Sequence, residues 1–319
     1  MNVFPLQMKP QSLPHFDFDD ISLEERIGKG NATVYRAKRA GSVLAAKKMD
    51  CNRNEIPHEI KVQCSLPPHP NVLPLLGVAH TKDGFTVYIC MELADKSLHN
   101  YLHTEKNKPS LQQSTNWAMQ IARGMHHIHQ NGLAHRDLKS ANVLLFEKED
   151  IIKVCDFGSA RVLERTETVT AMAGTYRWMA PEFNDKASTK VNQRCDVFSY
   201  GMILYELFAH EIPYSDLSDN IAVATSVHDG KRPPISPNLP LYIQKLMQSC
   251  WEHEPHDRPT FDKILQVCQP TYKSSHFTCS MAFTMYNTTK SGCQTPYLCT
   301  PGLCTSLVTQ VCILSCLCM

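Results

Sequence analysis

The chain has 319 residues, 43% of them apolar and 20% charged, a balance that supports a sizeable buried core and excludes fibrous and disordered classes. Its 32 basic and 31 acidic residues leave a formal net charge of +1, which gives no general attraction to nucleic acid or to an anionic membrane surface. The 14 cysteines are not the framework of a small secreted domain, because half are scattered singly before residue 269 and half crowd the tail.

No C-x-x-C pair has a partner pair, so a zinc site is not expected, and the earlier cysteines read as reduced small hydrophobes. The first twenty residues carry prolines and no continuous apolar run for secretion, which points to a cytosolic start and an N-terminal extension over 1–20. From 21 to 49 the pattern is short, β-branched and glycine-punctuated: two strands around a tight loop at "GKGNATV", a turn at Gly41, then a third strand that carries Lys47. A helix is expected from about Glu55 to Leu66, ended by Pro67 and Pro68. "NVLPLLGVAH" and "FTVYICMEL" then complete a small, mainly β lobe.

After Glu92 the character changes. Trp117, Ile121, Met125 and Ile128 recur at helical spacing between Ser110 and Gln130, so a long helix with one apolar face is expected there. "DVFSYGMILYELF" (196–208) is apolar nearly all round, as in a helix buried at the centre of a larger lobe. Strands followed by helices argue for an α+β chain of two lobes with a cleft between them. The tail from Gln269 has no acidic residue, is rich in Ser, Thr and Cys, and ends in an apolar stretch of 13 residues, too short to span a bilayer.

Three motifs carry chemistry: "HRDLKSANVLL" (135–145), "VCDFG" (154–158) and "GTYRWMAPE" (174–182). In this order they resemble the signature set of protein kinases, over about Ile21 to Cys268. The resemblance implies a small lobe over 21–92, a hinge over 92–96, a large lobe over 97–268 and a poorly ordered tail over 269–319. It also implies ATP and Mg2+ as cofactors, and transfer of the γ-phosphoryl group to protein hydroxyls.

By position, the resemblance makes Lys47 the residue that pairs the α- and β-phosphates, with Glu59 as its helix partner and Glu55 as the alternative. Asp137 is placed to accept the substrate hydroxyl proton and Lys139 to neutralise the γ-phosphate, while Asn142 and Asp156 ligate magnesium. The nucleotide base would lie between Ile27, Val34 and Ala45 on one side and Leu144 on the other, its edge read by the backbone of Glu92 and Ala94. Met91 would limit the pocket behind it. Glu182 and Arg258 match a buried ion pair, and Asp196 a carboxylate that braces the catalytic loop.

Two features depart from the pattern. Gly28 and Gly30 are in place, but the third glycine of G-x-G-x-x-G is absent and the loop is one residue short before Val34. That keeps open a second reading, a catalytically weak scaffold that only holds partners. Gln63 stands where related kinases place an apolar side chain, which suggests a loosely held helix or another register. "HRDLKSAN" and Thr175 match kinases that act on Ser and Thr, with dual specificity known in the group. "GTYRWMAPE" with "CWEHEPHDRPTF" resembles the tyrosine-kinase-like group, particularly Raf-like and mixed-lineage kinases that act as kinase kinase kinases.

Arg136 beside Asp137 implies control by phosphorylation of the activation segment, through an upstream kinase or trans-autophosphorylation, with Thr166, Thr168 and Thr170 as candidates. Cys155, next to Asp156, would face the nucleotide and react with an electrophile there, unless it is a buried, inert thiol. The last four residues fit a prenylation signal at Cys316, with Cys312 available for a second lipid. Membrane association would depend on that lipid; otherwise the tail is an ending with no folded role.

Overall fold

The structure is a computed structural model that describes residues 13–28, 33–52, 56–162, 176–183 and 192–268. The chain divides into two units at Leu265, and the first, Met1–Leu265, holds the strand-rich and the helix-rich parts together. Gly30, Glu55, Thr166, Thr168, Thr170, Thr175, Cys312 and Cys316 lie outside the described residues.

The small lobe is one six-stranded sheet. Its strands are β1 (His15–Asp17), β2 (Ser22–Arg26), β3 (Thr33–Arg39), β4 (Ser42–Asp50), β5 (Leu75–His80) and β6 (Thr86–Met91), in the order β1-β5-β6-β4-β3-β2. Ala40 (φ 48°) and Gly41 (φ 80°) make the two-residue turn between β3 and β4, both with the positive φ that a tight hairpin requires. In β4 the run Leu44 to Lys47 is buried throughout, because β3 and β6 pair with it on either side. The register sets Lys47 opposite Val34 on β3 and Ile89 on β6.

The sheet starts earlier than the boundary at Ile21 suggests. β1 pairs in parallel with β5, and the Val78 amide donates to the Pro14 carbonyl at 3.0 Å. Gly77 makes this approach possible: a Cβ there would lie 2.5 Å from the Phe16 ring and 2.7 Å from the Pro14 carbonyl oxygen.

Helix α1 (His58–Ser65) is shorter than the expected 55–66. Pro57 occupies the N-cap in an extended conformation, and Leu66 turns extended ahead of Pro67, as a residue before proline must. β5 begins only after Pro74, because Val72 and Leu73 are engaged elsewhere. Val72 bridges Val154 of β10 (Ile151–Val154), and the Leu73 amide donates to the Val154 carbonyl at 2.9 Å. The segment between α1 and β5 is thus fastened to the large lobe.

Gln63 carries the same link from the helix. Its Nε2 donates to the Leu73 carbonyl at 2.9 Å, in a buried setting. The polar side chain that suggested a loose helix is instead a satisfied tether, and the register that places Glu59 opposite Lys47 is the one observed.

Helix α2 (Leu111–Gln130) starts at Ser110, whose hydroxyl accepts from the Gln113 amide at 3.2 Å. Trp117, Ile121, Met125 and Ile128 are all fully buried, so the apolar face is the one the spacing marks. The aliphatic members each contribute about 2 kcal/mol of burial. Helix α3 (Arg194–Ala209) is buried without a break from Cys195 to Leu207. Around it stand α4 (Asn220–His228), α5 (Leu241–Cys250) and α6 (Phe261–Cys268), with Phe261 set edge-on against Tyr200 of α3. Two small sheets complete the lobe: β7 (Lys96–Ser97) and β10 flank β9 (Val143–Phe146), and β8 (Leu133–Ala134) pairs with β11 (Arg161–Val162).

Gly124 lies in the middle of α2, where alanine would raise intrinsic helix stability by about 1 kcal/mol. The Asn71 carbonyl oxygen, however, would stand 2.5 Å from a Cβ at this position. Asn71 is also fixed by its side chain, which donates to Gln120 Oε1 at 3.0 Å and to the Ile152 carbonyl at 2.9 Å. Gly124→Ala is therefore expected to destabilise the protein despite its better propensity, by about 1–3 kcal/mol. Thermal unfolding checks this, and a neutral or raised midpoint would show that the Asn71 backbone yields.

Candidate active site

The described motif residues converge on the cleft between β4, α1 and the loops after β8 and β10. Lys47 Nζ donates to both oxygens of Glu59, at 2.8 and 2.7 Å, and to Asp156 Oδ1 at 3.0 Å. One ammonium group from the sheet thus joins the helix of the small lobe to the motif after β10. Burial opposes the Lys47 charge, but Asp156 and Glu59 outweigh it and hold its pKa above the usual lysine range. Burial likewise opposes ionisation of Asp156, yet Lys47 wins and keeps that carboxyl below the usual range. Glu59 is pushed up by burial, with Lys47 only partly offsetting it and Asp156 adding to the rise.

A second group forms on the loop after β8. Lys139 Nζ reaches both oxygens of Asp137, at 3.0 and 2.8 Å. Asn142 Nδ2 donates to the Asp137 carbonyl at 2.8 Å and to Asp137 Oδ2 at 3.1 Å. Asn142 turns its amide nitrogen towards Asp137, and among the described residues no donor engages its side-chain oxygen or Asp156 Oδ2. A hard cation selects such oxygen donors, so this pair fits a magnesium-type ion carrying phosphate.

The loop is held from beneath by Asp196 at the start of α3. Its oxygens accept from the His135 amide at 2.8 Å, the Arg136 amide at 2.7 Å and His129 Nε2 at 2.8 Å. Arg136 (φ 67°) is left-handed, a conformation that costs a non-glycine residue about 1 kcal/mol or more, and the bond to Asp196 compensates. Asp156 (φ 68°) is left-handed as well, within reach of Lys47.

Two residues in or beside the motifs have placements that the sequence did not announce. His135 joins the two catalytic loops, with Nε2 3.0 Å from the Cys155 carbonyl and Nδ1 accepting from the Asp137 amide at 3.3 Å. Its ring also packs on Phe157 at 5.3 Å. Lys153 Nζ meets the Glu92 carboxylate at the hinge. His135 opens a quoted motif and Lys153 immediately precedes one, but which atoms they bridge depends on how the loops cross.

Of the base-pocket candidates, Ala45 is buried, Ile27 is exposed, and Val34, Glu92, Ala94 and Leu144 are intermediate. The Ile27 and Gly28 amides both reach the Val34 carbonyl, at 2.9 and 3.3 Å. Among the described residues no hydrogen bond engages the Ala94 backbone. At the far end of the activation segment, Glu182 and Arg258 form a two-pronged pair at 2.7 and 2.9 Å. Arg258 also donates to the carbonyls of Arg194, Glu252 and His253.

Cys155 is partly exposed. Burial, and then the negative charge of Asp156, push its thiol far above the usual range, so little thiolate forms near neutrality. The raised thiol favours the inert alternative, although the residue is partly open to solvent.

The family model described as protein tyrosine and serine/threonine kinase matches residues 21–268. Mitogen-activated protein kinase kinase kinase 7 of Drosophila melanogaster is 33% identical over 268 residues, covering 81% of this chain and 38% of its own length. Serine/threonine-protein kinase STY17 of Arabidopsis thaliana is 32% identical over 258 residues, covering 79% of this chain and 44% of its own length. The human mitogen-activated protein kinase kinase kinase 7 is 32% identical over 260 residues, covering 79% of this chain and 42% of its own length. The chain belongs to the protein kinase family, with relatives in the tyrosine-kinase-like group. It spans less than half the length of these curated relatives. The family uses ATP with a divalent metal and acts on proteins.

Burial opposes the Asp196 charge, but His129, His135 and the Arg136 amide outweigh it and hold its pKa below the ordinary 3.8. A depressed carboxyl adds stability that is full above its unfolded pKa and is lost as pH falls through the folded value, here below 3.8. Asp196→Asn is expected to cost about 3 kcal/mol at neutral pH and to flatten the loss of stability on acidification below that value. Denaturant titrations of both proteins at neutral and acid pH measure this; parallel acid profiles would show that Asp196 is not the group involved.

Proposed function

We propose that the chain is a working protein serine/threonine kinase that transfers the γ-phosphoryl group of Mg-ATP to Ser or Thr hydroxyls of proteins. The observation that carries this reading is the simultaneous placement of Lys47 on Glu59 and Asp156, and of Lys139 and Asn142 on Asp137. A loose phosphoryl-transfer transition state needs positioned counter-charge rather than a covalent partner, and these side chains supply it.

Asp137 accepts the proton of the incoming hydroxyl as its oxygen bonds to the γ-phosphorus, while the bond from that phosphorus to the bridging oxygen breaks and ADP leaves. Lys139 turns its ammonium from Asp137 towards the transferred group, and Lys47 meets the α- and β-phosphates while Glu59 fixes its position. Asn142 and Asp156 would hold magnesium through the oxygens that no donor engages among the described residues. Bound there, the ion supplies charge neutralisation across the phosphates. Ile27, Val34, Ala45 and Leu144 would enclose the base, and the backbone of Glu92 and Ala94 would read its edge.

The scaffold reading rests on the shortened glycine loop alone. Every described group that would touch the metal or the transferred phosphoryl is present and mutually hydrogen-bonded, which favours an enzyme. Relatives named as kinase kinase kinases support a place in an intracellular phosphorylation cascade, with cytoplasmic location. No helix among the described residues is long and apolar enough to cross a membrane. Phosphorylation at Thr166, Thr168 or Thr170 by an upstream kinase or a second copy would supply an anion for Arg136.

The test is magnesium-dependent transfer of labelled γ-phosphate from ATP to a generic basic protein. Wild type is expected to label Ser and Thr on acid hydrolysis, and Asp137→Asn to lose roughly a hundredfold or more in rate. Glu59→Gln should also slow transfer, by weakening the hold on Lys47. Absence of transfer from wild type, even with its activation segment phosphorylated, would move the assignment to the scaffold.

A further inference from the structure

Away from the cleft, the large lobe contains a cluster of imidazole and carboxylate groups that phosphoryl transfer does not use. Glu206 of α3 is fully buried, and its partners come from three other parts of the fold. His103 Nε2 lies 2.9 Å from Oε1, the Ser140 hydroxyl donates to Oε1 at 2.6 Å, and the Trp178 indole N–H donates to Oε2 at 2.7 Å. Among the described residues the only salt-bridge partner of this carboxylate is His103, which is charged only when protonated. A carboxylate taken fully out of water with no permanent cation beside it is short of positive charge.

His99 stands four residues before His103, at the N-cap of the π-helical turn Asn100–Thr104, and the two rings approach to 5.0 Å. Its Nδ1 is 3.4 Å from the Ser140 hydroxyl. Ligand atoms of His99, His103 and Glu206 all lie within 4.8 Å of one another. Donors on one zinc ion, with bonds of about 2.0–2.2 Å, stand about 3.4 Å apart in a tetrahedron, so side-chain movements of about 1 Å close the set.

We propose that His99, His103 and Glu206 form a binding site for a zinc-class divalent ion. Two imidazoles and one carboxylate are the donor set of such ions and not of magnesium or calcium, which take oxygen. The H-x-x-x-H spacing brings both rings to one face of the turn. Ser140 and Trp178 hold the carboxylate from outside, as hydrogen bonds to metal ligands commonly do. The absence of paired cysteines had argued against zinc; here histidines distant in sequence from Glu206 supply the nitrogen donors. Because Ser140 belongs to the catalytic loop and Trp178 to the end of the activation segment, the ion would clamp both to α3 and to the turn at His99. This assignment is independent of whether the chain proves to be a working kinase.

The probe is Co2+ added to the full chain after chelation, without nucleotide or magnesium. The expected result is one cobalt with visible d–d absorption and no thiolate-to-cobalt charge transfer, displaced by Zn2+. His99→Ala and His103→Ala should each weaken that binding at least about tenfold, since even loss of an outer hydrogen bond costs as much at such sites. Zn2+ should raise the unfolding midpoint of wild type and not of His99→Ala. His99→Ala keeps the His103 to Glu206 contact, so it decides the matter if the other variant does not fold. Binding that is absent, that shows only thiolate charge transfer from the cysteines, or that persists unchanged in His99→Ala would overturn the proposal.

Discussion

The architecture depends on one ammonium group held between two carboxylates. Lys47 leaves the centre of a paired strand, where water is excluded, and meets Glu59 from the helix and Asp156 from the other lobe. Lys47 and Glu59 are buried, and such a charge costs several kcal/mol without its partner, while Asp156 is only partly buried. Formation of the triad therefore couples sheet register, helix position and lobe contact. Displacing α1 would carry Glu59 away and leave Lys47 with Asp156 alone. The site is assembled or dismantled as a unit, which is what a switchable enzyme requires.

Helix α3 plays the corresponding part on the other side of the cleft. It is apolar nearly throughout and carries two buried carboxylates, Asp196 at its start and Glu206 near its end. Asp196 fixes the backbone of the catalytic loop through two amides, and Glu206 takes a hydroxyl from that same loop and an indole from the activation segment. Acidic groups in such a core are expensive, so their retention has to be explained by the elements they hold. Glu182 and Arg258 repeat the arrangement further out, with the guanidinium saturated by carboxylate and carbonyl oxygens.

Local signals placed most of the elements. The apolar stripe of α2 and the unbroken apolar run of α3 were visible because helix periodicity repeats many times in them. Shorter features were less legible. β1 was passed over because three residues carry no period, and only its docking on Gly77 makes it a strand. The segment at Val72 read as strand by composition, yet its hydrogen bonds go to β10. Gln63 looked misplaced because its partner is a carbonyl ten positions along, fixed only once α1 docks.

The amino-acid sequence alone carried the resemblance that points to Lys47, Asp137, Lys139, Asn142 and Asp156 as the residues for phosphoryl transfer. It also determined the two-lobed plan, through the change from strand to helix periodicity. Only the tertiary structure decided which carboxylate meets Lys47 and what His135 bridges. It alone brought His99 and His103 to Glu206, across a separation of about a hundred residues. Periodicity reports which face of an element is buried, while the partner on the other side of that face is set by packing between distant elements.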